Sequence, residues 1–138
     1  MMKFLLVLML VCCSAADAAD DRLYQAWGGK SGIRAVMEDF FDRLKADARL
    51  APFFRDTNRD NLVTQLTDQL CEKSGGPCVY EGAPMGPAHA DLNIRKADFN
   101  ALVEVLQQSM DAKGIPFTAQ NRMLARLAPL HREIVTKE

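Results

Sequence analysis

Histidine is scarce in this chain: His89 and His131 are the only two in 138 residues. That scarcity limits any metal site built from imidazoles. Net charge is almost absent as well. Seventeen Lys+Arg stand against 18 Asp+Glu, a formal −1, and no basic cluster exists. This argues against sequence-independent nucleic-acid binding, which needs a Lys/Arg surface. No CxxC pair occurs among the four cysteines, so a tetrathiolate zinc site and a thioredoxin-type dithiol are excluded. No CxxCH occurs either, which removes c-type haem attachment. The longest apolar run, Phe4 to Cys13, is about half of what a membrane-spanning helix needs. Six Pro and eight Gly are too few for a collagen-like or disordered chain. What is present is ordinary for a soluble globular domain, 49% hydrophobic and 25% charged residues, with a length suited to one core.

The first segment reads as a leader rather than as structure. Lys3 precedes the apolar run, and Ala16-Asp17-Ala18 has the small-x-small pattern of a signal-peptide cleavage site. The expected organisation is a signal peptide over 1–18, an exported and periplasmic mature domain over 19–138, and no membrane span in that domain. A lipoprotein acylated at Cys12 or Cys13 is the alternative. Its flanks are poor, because Val11 or Cys12 stands where a small residue is needed. Export leaves Cys71 and Cys78 as the remaining thiols, and an oxidising compartment favours pairing them. Gly75-Gly76-Pro77 between them lets the chain reverse. Closing so short a loop is worth about 2–2.5 kcal/mol in the chain-entropy model. Two unpaired, partly buried thiols are the other reading.

Apolar spacing in the mature chain is helical nearly everywhere. Ile33, Val36, Met37, Phe40, Phe41 and Leu44 recur at three and four residues, one stripe of an amphipathic helix that follows Gly28-Gly29, with Ser31 as N-cap. A second helix is expected from about Asp60, with Leu62, Leu66, Gln69 and Leu70 on one face and a stop at Gly75-Gly76. Phe99, Leu102, Val103, Leu106 and Met110 define a third, ended by Gly114 and Pro116. A last one runs through Met123, Leu124, Leu127, Leu130 and Ile134, and a short helix is expected near Arg22 to Ala26. No stretch alternates long enough to build a sheet. The fold class is all-α, in one domain.

Pro77 to Ile94 breaks this pattern. Three prolines and two glycines there preclude a long regular helix, yet Tyr80, Met85, Leu92 and Ile94 are apolar or amphipathic, and His89 lies among them. An irregular segment of this length in a compact helical domain commonly has a function. Two readings of His89 stand: a satisfied structural histidine, or the single protein ligand of a cofactor that brings its other metal ligands itself, as haem does.

From Leu23 to about Val135 the chain resembles the truncated haemoglobins of group I. Leu23-Tyr24 followed by Gly28-Gly29, Phe40-Phe41-Asp42-Arg43 with Ala46-Asp47, Phe53-Phe54, Gly75-Gly76-Pro77, Tyr80-x-Gly82, Met85-x-x-x-His89, and Leu92-x-Ile94 leading to Asp98-Phe99 occur in the family's order. The resemblance implies a truncated globin fold, a two-over-two helical sandwich around one non-covalent haem b, with His89 as the iron ligand. It further implies that Phe54 packs on the haem face, that Met85, Ile94 and Phe99 wall the side of His89, and that Phe41, Leu62 and Leu66 face the bound gas. His131, beside Arg132 and Glu133, reads as solvated surface.

The departure from the family is on that gas-binding side. Group I members commonly carry a tyrosine where Phe41 stands, and Phe41 has no donor. Leu62 and Leu66 are apolar too, leaving Gln65 and Gln69 as the nearest polar side chains, of which only Gln69 shares their face. A missing donor should weaken oxygen binding. The leading function is a haem protein that reversibly binds O2, NO or CO, with redox chemistry such as nitric oxide dioxygenation, served by an unidentified reductase, left open. A periplasmic electron-transfer or haem-handling protein is the alternative, and a haem-free helical interaction module a third.

Overall fold

Gly28 holds a φ of 82°, a left-handed turn that suits glycine, and it is this residue that caps the first long helix. The computed structural model describes residues 20–137; the leader and cleavage site expected from the sequence, and the acylated-cysteine alternative, lie outside them. Helix α1 (Arg22–Ala26) leads through Gly28 into α2 (Gly29–Ala46), and a 3-10 turn (Ala51–Phe54) follows. Then come α3 (Arg59–Lys73), α4 (Met85–His89), α5 (Lys96–Ala112), α6 (Phe117–Leu127), a second 3-10 turn (Ala128–Leu130) and α7 (His131–Ile134). The described residues form an all-α domain, the fold class expected from the sequence. Among the described residues the one β-type contact is an isolated bridge between Arg95 and Lys137.

Local chemistry accounts for the element ends. Ser31 lies inside α2 rather than capping it, because the Gly28 turn starts the helix three residues earlier. The free N–H of Lys30 donates to the Tyr24 hydroxyl at 3.0 Å, satisfying one of the orphan donors of the first turn. Asn58 caps α3, its side chain accepting from Asn61 N–H at 2.9 Å. Gly75 ends that helix region with φ 85°. The single last helix expected from the sequence is two helices, since Pro129, which has no N–H, falls in the 3-10 turn between α6 and α7.

The core follows from the stripes. Helix α2 buries Ile33, Val36, Met37, Phe40, Phe41 and Leu44 and packs on both α3 and α5. Helix α3 buries Val63, Thr67, Gln69, Leu70 and Cys71, while Leu62 and Leu66 are only half-buried. That helix therefore presents two adjacent stripes, one to the core and one to a cavity. Trp27 is closed in the core, its Nε1–H donating to the Ala119 carbonyl at 3.3 Å, which ties α1 to α6. Cys71 and Cys78 form a disulfide with a Cα–Cα separation of 5.6 Å.

Gly32 is a packing constraint that periodicity does not reveal: a Cβ there would fall on the Trp27 carbonyl oxygen. Gly32→Ala is expected to cost about 1–3 kcal/mol by overpacking against backbone. Gly86→Ala, in α4 with no atom near its added Cβ, should lose nothing and gain up to about 1 kcal/mol. Chemical denaturation of both variants checks the contrast.

Candidate functional site

A cavity of about 580 Å3 opens between α3 and α4, with α2, α5 and α6 behind it. That volume lies in the range of small-molecule sites, roughly 300–1,000 Å3. Met37, Phe40 and Leu44 of α2 form part of its wall, Leu62 and Leu66 of α3 another part, and Phe99, Leu102 and Leu106 of α5 a third. The polar side chains that reach it are Asn61, Gln65, Gln69, Tyr80 and His89. A second cavity of about 90 Å3 holds Ile94 with Leu50 and Leu92, and shares His89, Phe54 and Phe99 with the first.

Six of the eight residues singled out from the sequence thus line the main cavity: Phe54, Leu62, Leu66, Met85, His89 and Phe99. Ile94 does not; it borders the smaller cavity on the other side of His89. Phe41 is not in the wall either. It is buried in the core, with the Arg59 guanidinium carbon 6.0 Å from its ring centre. Helical geometry is the reason: Met37, Phe40 and Leu44 step along one face at three and four residues, and Phe41 lies about 100° round from Phe40. Gln65 reaches the cavity as well as Gln69, so the polar residues of α3 are not confined to the Leu62–Leu66 line. His131 is not simply solvated surface. It is half-buried and stands edge-on to Phe99, ring centres 4.8 Å apart at 82°. The wall residues of α5 were legible as apolar positions in the Phe99 stripe, but nothing in the spacing told cavity from core.

The central geometry is at His89. Its Nδ1 lies 2.8 Å from the Met85 carbonyl oxygen. A carbonyl can only accept, so Nδ1 carries the proton and Nε2 keeps a free lone pair. The same arrangement orients a histidine that ligates a metal through its other nitrogen. Met85 is itself engaged, receiving the Gln69 Nε2–H on its sulfur at 3.5 Å. Tyr80 donates its hydroxyl to the Ala83 carbonyl at 2.7 Å, and burial pushes its phenol above the ordinary range, so it stays a donor.

Among the described residues no group of three or more His, Cys, Asp and Glu is placed to hold a metal ion. The donor set is one oriented imidazole in an apolar cavity, which fits a group that supplies its remaining metal ligands itself, and haem is such a group.

Comparisons with known proteins agree with this geometry. Residues 22–136 match the family model described as bacterial-like globin. A group 1 truncated hemoglobin from Mycolicibacterium paratuberculosis is 33% identical over 116 residues, covering 84% of this chain and 85% of the relative. One from Nostoc sp. (strain MUN 8820) is 30% identical over 83% of this chain and 98% of its own. The crystal structure of the truncated hemoglobin from Tetrahymena pyriformis in its Fe(III) form superposes with a TM-score of 0.79 at 28% identity, covering 83% of this chain and 98% of that one.

Helix α5, which carries Phe99, Leu102 and Leu106 to the cavity, begins at a well-built cap. The Arg95 N–H donates to Asp98 Oδ2 at 3.0 Å. That bond, with the Arg95 guanidinium beside it, holds the Asp98 carboxyl below its ordinary value. A lowered carboxyl stabilises the fold above its unfolded pKa of about 3.9, and loses that contribution as pH falls through the folded value. Asp98→Ala is expected to cost about 1 kcal/mol at pH 7. The gap to the native protein should shrink below about pH 4, as read from denaturation curves across pH.

Proposed function

Because this chain belongs to the bacterial-like globins, as a group I truncated haemoglobin, we propose that it holds one haem b through His89 and reversibly binds a diatomic gas (O2, NO or CO) there. The observation that carries this reading is the His89 ring at the wall of the apolar cavity, its Nδ1 committed to the Met85 carbonyl at 2.8 Å. When bound, the haem supplies an iron with an open position for the gas. The chain's own residues do the rest. His89 Nε2 is the ligating atom, and the Met85 carbonyl fixes its tautomer and raises its basicity. Phe54, Phe99, Leu102 and Leu106 offer apolar surface to the macrocycle and exclude water. On the α3 side, Leu62 and Leu66 offer the gas no hydrogen bond. One N–H of Gln69 is engaged by Met85, so Asn61 and Gln65 are the polar side chains of this helix with free amides at the cavity. Such a wall suits carbon monoxide, which needs little hydrogen bonding, better than oxygen, whose bound form gains from a donor.

The same apolar wall favours a second reading, electron transfer or haem handling. Spectra of the ferrous protein under carbon monoxide separate the two: a gas-binding protein shifts its Soret band, and one whose iron is closed by a second side chain does not. Export to the periplasm goes with either reading. The Cys71–Cys78 disulfide supports it, since such bonds persist in oxidising compartments. The N-terminal residue of the purified native protein tests it, Ala19 being expected. A reductase partner is proposed on chemical grounds alone, to keep the iron ferrous.

His89→Ala is expected to fold as a helical domain without retaining haem, whereas His131→Ala keeps the Soret band; absorption spectra of both check this. Leu66→Gln, which adds an amide to the cavity wall, should slow oxygen dissociation about tenfold, the equivalent of one hydrogen bond of ~1.4 kcal/mol. Carbon monoxide dissociation should change much less. A native protein that already holds oxygen tightly, and loses it on Gln65→Leu, would move the donor to Gln65 and overturn the apolar account of the pocket.

A further inference from the structure

Helix α4 is the weakest element of the site. It has five residues, none of them buried, and no side-chain cap at its N-terminus. Three prolines and two glycines stand in it or in the segment before it, at Pro77, Gly82, Pro84, Gly86 and Pro87, and Val79 in the approach is 69% exposed. Neither intrinsic propensity nor core burial therefore determines where His89 stands.

Three residues at the end of α3 supply what α4 lacks. Gln69 donates to the Met85 sulfur at 3.5 Å. Cys71 is bonded to Cys78. Glu72 Oε2 accepts the Tyr80 N–H at 2.8 Å. The last link is inside α4, where the Met85 carbonyl takes the His89 Nδ1 proton. Two of the three ties across the gap are ordinary hydrogen bonds, one of them a weak bond to sulfur. The disulfide is the covalent one. Its α3 end is anchored in the core, Cys71 being fully buried, and Cys78, half-buried against that core, is the more accessible of the two. Once that bond opens, the approach to α4 is held to α3 by hydrogen bonds alone, while α4 itself still packs on α7.

We propose that the Cys71–Cys78 disulfide is a positioning element for His89, so that its oxidation state sets how firmly the protein retains its cofactor. This rests on the haem site proposed above. Opening the bond requires a dithiol reductant. One of its thiolates attacks the Cys78 sulfur, a mixed disulfide forms there, and Cys71 departs as a thiolate. The second thiol of the reductant then attacks its own sulfur in the mixed disulfide, releasing Cys78 and leaving the reductant as a cyclic disulfide. Two electrons and two protons pass to the protein, which ends with two thiols. The segment from Cys78 to Met85 then keeps its hydrogen bonds to α3 and α4 its packing on α7, and His89 samples more positions.

The test uses haem-loaded protein in three forms: oxidised, reduced with dithiothreitol with both thiols verified by alkylation, and the double variant Cys71→Ser/Cys78→Ser. Haem transfer to apomyoglobin is expected to be on the order of tenfold faster in the last two, as loop-closure entropy returns to the segment that bears the ligand. Reoxidation should restore the slow rate in the reduced sample. The iron–histidine stretching band of the ferrous protein should shift or broaden. Val105→Ala, in a core position outside the cavity wall, lowers stability without touching the segment and should leave that band in place. Equal transfer rates and an unmoved band after verified reduction would overturn the proposal, as would a Val105→Ala protein that reproduces both changes. If the oxidised protein binds no haem, the haem reading fails separately. Amide exchange on the haem-free chain then decides the positioning claim, which requires faster exchange at Ala88 and Leu92 on reduction with Val105 unchanged.

Discussion

The constraint on which the rest of this structure depends is that one imidazole must stand at the wall of an apolar cavity on a helix too short to place itself. The hydrogen bond from His89 Nδ1 to the Met85 carbonyl solves the local half of that problem, choosing the tautomer and limiting rotation of the ring. It closes within a single turn, since residues four apart on a helix are neighbours, but it says nothing of where that turn lies relative to the cavity. Position has to come from outside α4.

It comes from two directions. On one side is the end of α3, with the Gln69, Cys71 and Glu72 contacts. On the other is the C-terminal segment. Helix α7 packs on α4, His131 stands edge-on to Phe99, and the Ile94 carbonyl accepts N–H groups from Thr136 and Lys137 at 3.0 and 3.1 Å. The last residues of the described chain thus clasp the segment just beyond His89. Elements of high intrinsic stability (α2, α3 and α5, each 15 residues or more) form the frame, and the chemistry-bearing segment hangs between them. This division is common where a site is carried by irregular chain on a rigid scaffold.

The cavity wall itself is a compromise between packing and access. Helix α3 turns Val63, Thr67 and Cys71 to the core and Leu62, Leu66 and Gln69 to the cavity, two stripes offset by one residue, with Leu70 touching both. Thr67 survives in the core because its hydroxyl donates to the Val63 carbonyl at 2.6 Å, so no unsatisfied polar group is buried there. Gln69, 6% exposed, survives because its amide reaches Met85. A polar side chain in that wall is tolerated when it also holds the opposite wall in place.

What the sequence by itself determined was whatever depends on near neighbours: the helical stripes of α2, α3 and α5, the stop at Gly75-Gly76, the break from Pro77 to Ile94, and the isolation of His89 within it. These are local because period and backbone permission act over a few residues. The resemblance added the fold and the role proposed for His89. Which face of α2 meets the cavity was decided by tertiary packing, and so Phe40 rather than Phe41 is in the wall. The cap of α2 stands at Gly28 instead of Ser31 through the left-handed turn there, with the Tyr24 hydroxyl folding back to accept the Lys30 N–H. The Cys71–Cys78 pairing was expected from the sequence, but the partnership of His131 with Phe99, the entry of Gln65 into the cavity and the Gln69–Met85 and Glu72–Tyr80 hydrogen bonds join residues on separate elements. Their pairing depends on how whole helices are docked, a quantity that no spacing of residue types encodes.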